Sequence, residues 1–171
     1  MNIAIINTTD IPLTDKDFNN DKVSIVNTRI IDLKYCEGCF ECWTKTPGLC
    51  VHFDDMPKIL QTIMNSDLTV YISDVKIGFI SSELKKVLDK TLPLMHPYFD
   101  ISHGEVHHKA RYDRYPEIAL VLIENQEISS SAYNIIENWF ARVSYNMMTN
   151  VKFVIKDDTP LGGLKNEISN H

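Results

Sequence analysis

Long apolar runs are missing from this 171-residue chain, and nothing in it approaches the ~20 consecutive apolar residues that cross a bilayer. Met1 to Asn7 also lacks the basic start and extended apolar stretch of a signal peptide. A cytoplasmic protein with no membrane partner is therefore expected. Basic stripes are missing too. The 17 Lys and Arg face 23 Asp and Glu, for a net charge of −6. Phosphate backbones demand concentrated Lys and Arg, so nucleic acid is set aside as a partner. Neither a Walker-type loop nor a Ser-His-Asp set can be assembled, which removes the grounds for a hydrolase. Repeats and low-complexity stretches are absent, and a chain of this length with 44% hydrophobic content sustains one core. A single domain over 1–171 is expected. Cysteine is absent outside residues 36–50, and glycine is absent before Gly38.

What is present is an alternation of strand-like and helix-like segments. The runs at 1–7, 22–33, 68–74, 117–124 and 150–158 are β-branched or continuously apolar. Between them, Met56, Ile59, Leu60, Ile63 and Met64 share a helical face behind Asp54 or Asp55 as cap, with Pro57 in the first turn. Leu84, Val87 and Leu88 form a second face behind a serine cap. Ile128, Ala132, Ile135, Ile136, Trp139, Phe140 and Val143 mark the longest helix, with the Trp139–Phe140 pair in the core. The order β-β-α-β-α-β-α-β predicts an open parallel sheet with helices on both faces. Only the fourteen residues between Asn7 and Lys22 are available for the first crossover. A crossover with its helix needs ~10–12, so that helix must be stunted. The polar tail from Thr159 predicts no final helix, leaving a sheet flank that association would hide.

Residues 36–50 read CEGCFECWTKTPGLC, the spacing C-x2-C-x2-C-x7-C. In a reducing compartment such thiols act as ligands, redox groups or free thiols rather than structural disulfides. Cys36, Cys39, Cys42 and Cys50 have the compact spacing of [4Fe–4S] ligands. Structural zinc uses two separated knuckles and fits less well. The alternative is a turn-rich loop whose thiols pack as small hydrophobes, with Phe40, Trp43 and Pro47 making an interface or a cover. His103, Glu105 and His107 would alternate onto one face of an extended segment and offer a second metal set, although this stretch reads as an irregular connection. Arg111 and Arg114 read as surface or interface residues, with a phosphate clamp as the alternative.

The segments CEGCFECWTKTPGLCVHFDDM, VKIGFISSELKKVLDK and PLMHPYFDISHGEVHHKARYDRYPEIALVL together resemble the flavodoxin-like NAD(P)H-dependent FMN reductase family, including its iron–sulfur flavoprotein relatives. The resemblance implies a three-layer α/β/α sandwich around a five-stranded parallel sheet of order 2-1-3-4-5, with FMN at the carboxyl ends of the strands. It implies three cofactor loops: one carrying Thr8, Thr9 and Thr14 toward the phosphate, one of Asp74, Val75, Lys76, Ile77, Gly78 and Phe79 along the ring, and one after the fourth strand, completed by Asn125. It further implies NAD(P)H as reductant, a small-molecule or protein electron acceptor, and homo-oligomers in which one subunit covers another's flavin. Two departures stand out. The first loop has no glycine and carries Asp10, Asp15 and Asp17, and Asp74 stands where relatives usually have proline. Carboxylates ~5 Å from a phosphate repel it by about a few kcal/mol at an effective dielectric near 20. The expected function is an FMN-dependent oxidoreductase or flavin electron carrier. The alternatives are a flavodoxin-fold subunit that has lost its cofactor, and an iron–sulfur flavoprotein with a cluster on the cysteine loop.

Overall fold

A computed structural model describes residues 1–18, 22–124, 129–159 and 162–169. β1 (Ile3–Asn7) leads through a three-residue 3-10 turn, Asp15–Asp17, into β2 (Val23–Asn27). A one-turn helix α1 (Glu41–Thr44) lies within the cysteine loop, and α2 (Met56–Met64) follows it. β3 (Leu68–Lys76) folds back into a two-residue β4 (Phe79–Ile80), and α3 (Ser82–Asp89) begins immediately after. A hairpin of β5 (Met95–Ser102) and β6 (Glu105–Ala110) precedes β7 (Glu117–Ile123). α4 (Ser130–Asn146), β8 (Val151–Asp157) and α5 (Gly162–Ser169) complete the order.

The main sheet runs β2-β1-β3-β7-β8, with each of these neighbours parallel. This is the 2-1-3-4-5 order that the family resemblance implies. Period-two alternation divides its side chains between two cores. On one face Ile6, Tyr71, Leu120 and Leu122 meet α2, α3 and α4 through Ile59, Ile63, Leu84, Val87, Ile136 and Phe140. On the other, Ile3, Ile5, Val70, Ile72 and Val121 meet Leu13 and Phe18 of the β1–β2 crossover and Leu164 and Ile168 of α5. The crossover is stunted as its length demands. Two apolar side chains and a 3-10 turn occupy the place of a first helix.

Several expectations are corrected. The segment 22–33 is a strand only to Asn27, after which Thr28–Ile30 turns as a 3-10 helix. The tail beyond Thr159 contains α5, whose Leu164 and Ile168 are buried, so the final flank is covered on that face. The polar composition of the tail hid this helix, whose first residues sit against the Asp157 carboxylate. A Cβ on Gly162 would lie 2.6 Å from Asp157 Oδ1, while Asp157 Oδ2 accepts the Gly163 amide. In α4, Ile135 points outward at 60% exposure and Trp139 is half-buried, while Phe140 alone of the aromatic pair is fully enclosed. The stretch read as irregular is the β5–β6 hairpin, turned at His103 (φ 54°) and Gly104 (φ 75°). His107 Nδ1 lies 3.1 Å from Asn146 Oδ1, and His103 stacks on Tyr145 at 4.1 Å, which docks the hairpin on the end of α4. Ile128 falls outside the described residues.

Candidate functional site

Strand order reverses between β1 and β3, so the connections leaving these two strands run to opposite sides of the sheet, which is the switch point at which doubly wound sheets place ligands. The loop after β1 is built by two asparagines. Asn7 and Asn27 are register partners at the last positions of β1 and β2, and Asn7 Nδ2 donates to Asn27 Oδ1 at 2.8 Å. Asn7 Oδ1 accepts the Thr9 amide and hydroxyl at 3.1 and 2.8 Å, and Asn7 Nδ2 also donates to Ile11 O. Asn27 brackets Leu13 by accepting its amide and donating to its carbonyl. Of the three threonines Thr9 belongs to this network, and Thr8 and Thr14 have partners of their own. Thr8 Oγ1 donates to Ile72 O at 2.7 Å, Thr9 Oγ1 to Asn7, and Thr14 Oγ1 to Asp17 Oδ2 at 2.9 Å. Arg29 Nε donates to Thr8 O and lies 3.2 Å from Asp10 Oδ1, while its Nη1 is 3.8 Å from Glu83 Oε1. The sequence reading missed Asn7, Asn27 and Arg29. The parallel pairing that joins the asparagines is the only signal that would have found them.

The second loop is a tight hairpin tip rather than an open strap. Val75 pairs with Ile80 and Lys76 with Phe79, and the turn sits on Ile77 (φ 53°) and Gly78 (φ 73°). A β-branched residue in the left-handed region costs about 1–2 kcal/mol, and Ile77 is fully exposed there. Val75 and Phe79 pack inward, with Phe79 edge-on to Trp139 at 5.1 Å, so Lys76, Ile77 and Gly78 are the part of the loop open to a ligand. Asp74 is buried below them. Burial raises its carboxyl pKa above the ordinary value, Asp10 acts in the same direction, and Lys76 and Arg29 oppose. A carboxyl raised on folding binds more protons in the native state, so its ionised form weakens the fold above its native pKa and the loss disappears as pH falls. Asp74→Asn is accordingly expected to melt higher than the parent at pH 7, with the difference closing on acidification. Thermal denaturation across pH 4–7 checks this. Asn125 lies outside the described residues, and of the third loop Glu124 is seen paired with Lys156 at 3.6 Å.

The cysteine loop lies against the end of α3. Phe40 (φ 58°) and Gly38 (φ 68°) take left-handed conformations that fold the chain back on itself. Trp43 then anchors it: Nε1 donates to both Leu92 O and Met95 O, at 3.1 and 3.0 Å, and the ring stacks on Phe40 and tilts over His108. All four cysteines line one narrow cavity, together with His52, Lys90, Leu92 and Pro93. All four are free. The Cys42 thiol is pushed up to about 11, chiefly by burial, with Cys50, Cys36 and Cys39 adding to the shift. It is therefore a neutral thiol near pH 7. Among the described residues no three of His, Cys, Asp or Glu stand close enough to hold a metal ion. The thiols share a cavity without forming a ready ligand shell. The same finding applies to His103, Glu105 and His107, where only His107 and Glu105 approach, at 3.4 Å. Arg111 Nη2 donates to Met95 O, and Arg114 pairs with Asp67 at 2.6 Å, so both arginines serve local structure.

Comparison with known proteins supplies the context. No family model matches the chain. An iron–sulfur flavoprotein of Archaeoglobus fulgidus is 32% identical over 84 residues, covering 49% of this chain and 36% of that protein. Among solved structures, azoreductase AzrA superposes with a TM-score of 0.60 over 98% of this chain and 93% of its own, at 13% identity. An FMN-dependent NADH-azoreductase from Bacillus anthracis, solved with FMN, gives a TM-score of 0.56 over 91% and 86%, at 12% identity. This chain has the flavodoxin-like α/β fold, and about half of it is similar in sequence to an iron–sulfur flavoprotein. The match spans about a third of the length of the Archaeoglobus protein. Among the described residues no helix of this flavodoxin-fold chain is long and apolar enough to cross a membrane.

Proposed function

We propose that this chain is a flavin-dependent NAD(P)H oxidoreductase or flavin electron-transfer protein that passes electrons to a small-molecule or protein acceptor. The observation carrying this reading is the switch point between β1 and β3, where the first two cofactor loops meet at the carboxyl edge of the sheet. The names of the relatives, a flavoprotein and an FMN-dependent reductase, support it. A flavin supplies the redox chemistry in such proteins, and the polypeptide supplies placement and electrostatic tuning. In this chain Lys76, Ile77 and Gly78 are the groups exposed for contact with a ring, and Lys76 brings positive charge to that edge. The loop after β1 does not fit the phosphate of FMN, because its hydroxyls and most of its amides already have protein partners. Protein purified without oxygen is expected to show flavin absorbance or to take up added flavin, and then to oxidise NADH or NADPH. A colourless protein that takes up no flavin and leaves both nucleotides untouched would defeat the proposal.

A second reading concerns the cysteines, since Cys36, Cys39, Cys42 and Cys50 line a common cavity and the Archaeoglobus relative is an iron–sulfur protein by name. In this reading they hold a [4Fe–4S] cluster beside the flavin. The loop must draw its thiols together, and Cys42 must lose its proton, before such a group is held. Iron and acid-labile sulfide analysis of anaerobic protein decides the matter: neither element above background leaves four free thiols. Self-association belongs to the same proposal, and Phe99, Ile101 and Val106, exposed on the β5–β6 hairpin, support it.

A further inference from the structure

The first cofactor loop carries an inference that rests on the flavin reading and refines it. In a doubly wound fold the phosphate of a mononucleotide is held by free backbone amides and the amino terminus of a helix. Here the Thr8 amide donates to Ile72 O, Thr9 to Asn7 Oδ1, Ile11 to Thr9 Oγ1, Leu13 to Asn27 Oδ1 and Thr14 to Asp17 Oδ2. Pro12 has no amide hydrogen to offer. The hydroxyls of Thr8, Thr9 and Thr14 donate to Ile72 O, Asn7 Oδ1 and Asp17 Oδ2. Among the described residues of this crossover, the helix that would aim its dipole at a phosphate is represented by the 3-10 turn Asp15–Asp17 alone.

Charge acts in the same direction. Arg29 is the cation bonded to this loop among the described residues, and it is already engaged by Asp10, with Glu83 close by. Asp10 is open to solvent and Asp74 lies near enough to feel it. A phosphate dianion placed here would meet carboxylates and find few unengaged donors. The surroundings suit an uncharged ligand better. Ile11, Ile30 and Ile77 are 51, 78 and 107% exposed, and they follow the carboxyl ends of β1, β2 and β3.

We infer that the flavin taken by this chain is one without a phosphate, of the riboflavin class, and that the loop after β1 disfavours FMN. The test is quenching of flavin fluorescence by the intact chain, with riboflavin and FMN titrated in parallel at about 50 and about 500 mM salt. At low salt FMN is expected to bind at least about tenfold more weakly than riboflavin, and the gap should narrow at high salt as the carboxylates are screened. The double substitution Asp10→Asn with Glu83→Gln should also narrow it. FMN binding as tightly as riboflavin, or more tightly, overturns the inference while the flavin reading stands. Binding of neither overturns both and favours a subunit whose cofactor site has been lost.

Discussion

Replacing Lys90 with methionine is expected to destabilise the chain by about 3–5 kcal/mol, the range for removing one partner of a buried ion pair. The side chains of Lys90 and Asp54 are 1% and 0% exposed, so neither charge reaches water. Asp54 also accepts the amides of Lys34 at 3.1 Å and Met56 at 3.0 Å, which ties the cysteine loop, the start of α2 and the end of α3 to one carboxylate. Without the ammonium, that carboxylate remains buried and uncompensated. Domains are typically stable by ~5–15 kcal/mol, so the loss would be a large fraction of the total. Urea denaturation at pH 7 measures it.

The pH dependence of that loss follows from the sign of the Asp54 shift. Burial acts against the charged carboxylate, but Lys90 and the two amides outweigh it and hold Asp54 below the ordinary carboxylate range. The stability it contributes is thus fully present above an unfolded value of about 4 and lost as pH falls through the lower folded value. The difference between Lys90→Met and the parent should shrink on acidification, because the stranded carboxylate can then protonate. A penalty under about 1 kcal/mol at pH 7 would mean that the site relaxes or admits water.

Trp43→Ala is expected to cost about 2–3 kcal/mol, below the range for fully enclosed tryptophans because this ring is half-buried. Two hydrogen bonds to Leu92 O and Met95 O disappear together with the stacking on Phe40 and His108. The larger consequence is local. These contacts pin the cysteine loop to the turn after α3, so their loss should release the loop without unfolding the sheet. If local opening governs access, labelling of the buried Cys42 thiol should accelerate by roughly a hundredfold, since each ~1.4 kcal/mol is a factor of ten. Unchanged labelling would show that another contact fixes the loop.

The parts of this fold that could be read from the sequence rest on local periodicity. β7 is apolar from Ile118 to Ile123, and β3 is buried from Leu68 to Asp74, because both faces are covered. The α2 face at Met56, Ile59, Leu60 and Ile63 is spaced for a helix and is buried as read. Ser81 caps α3 by accepting the Leu84 amide at 3.2 Å. What escaped reading depends on residues far apart in the chain. Asn7 and Asn27 meet only through parallel register, and Lys90 meets Asp54 only after α3 packs beside the cysteine loop. The α5 helix escaped because the tail reads as polar, and its buried residues Leu164 and Ile168 show their role only once α5 packs against the sheet.

The site divides along the same line. Asp10, Asp17 and the missing glycines signalled that the first loop is unusual. They did not reveal that its amides would be satisfied from within. The cysteine spacing foretold a shared location, and all four residues do line one cavity. Spacing alone did not determine how closely the thiols approach, because that depends on the left-handed turn at Phe40 and the Trp43 anchor.

The paired asparagines at the ends of β1 and β2 have a dynamic consequence. A loop braced by its own strands keeps its shape when the crevice is vacant, so occupancy should hardly alter its ordering entropy. The Leu13 amide should then exchange with deuterium at nearly the same slow rate in the presence and absence of ligand. Recognition at this edge would be rigid, and affinity would be set by what the crevice accepts rather than by how far it closes.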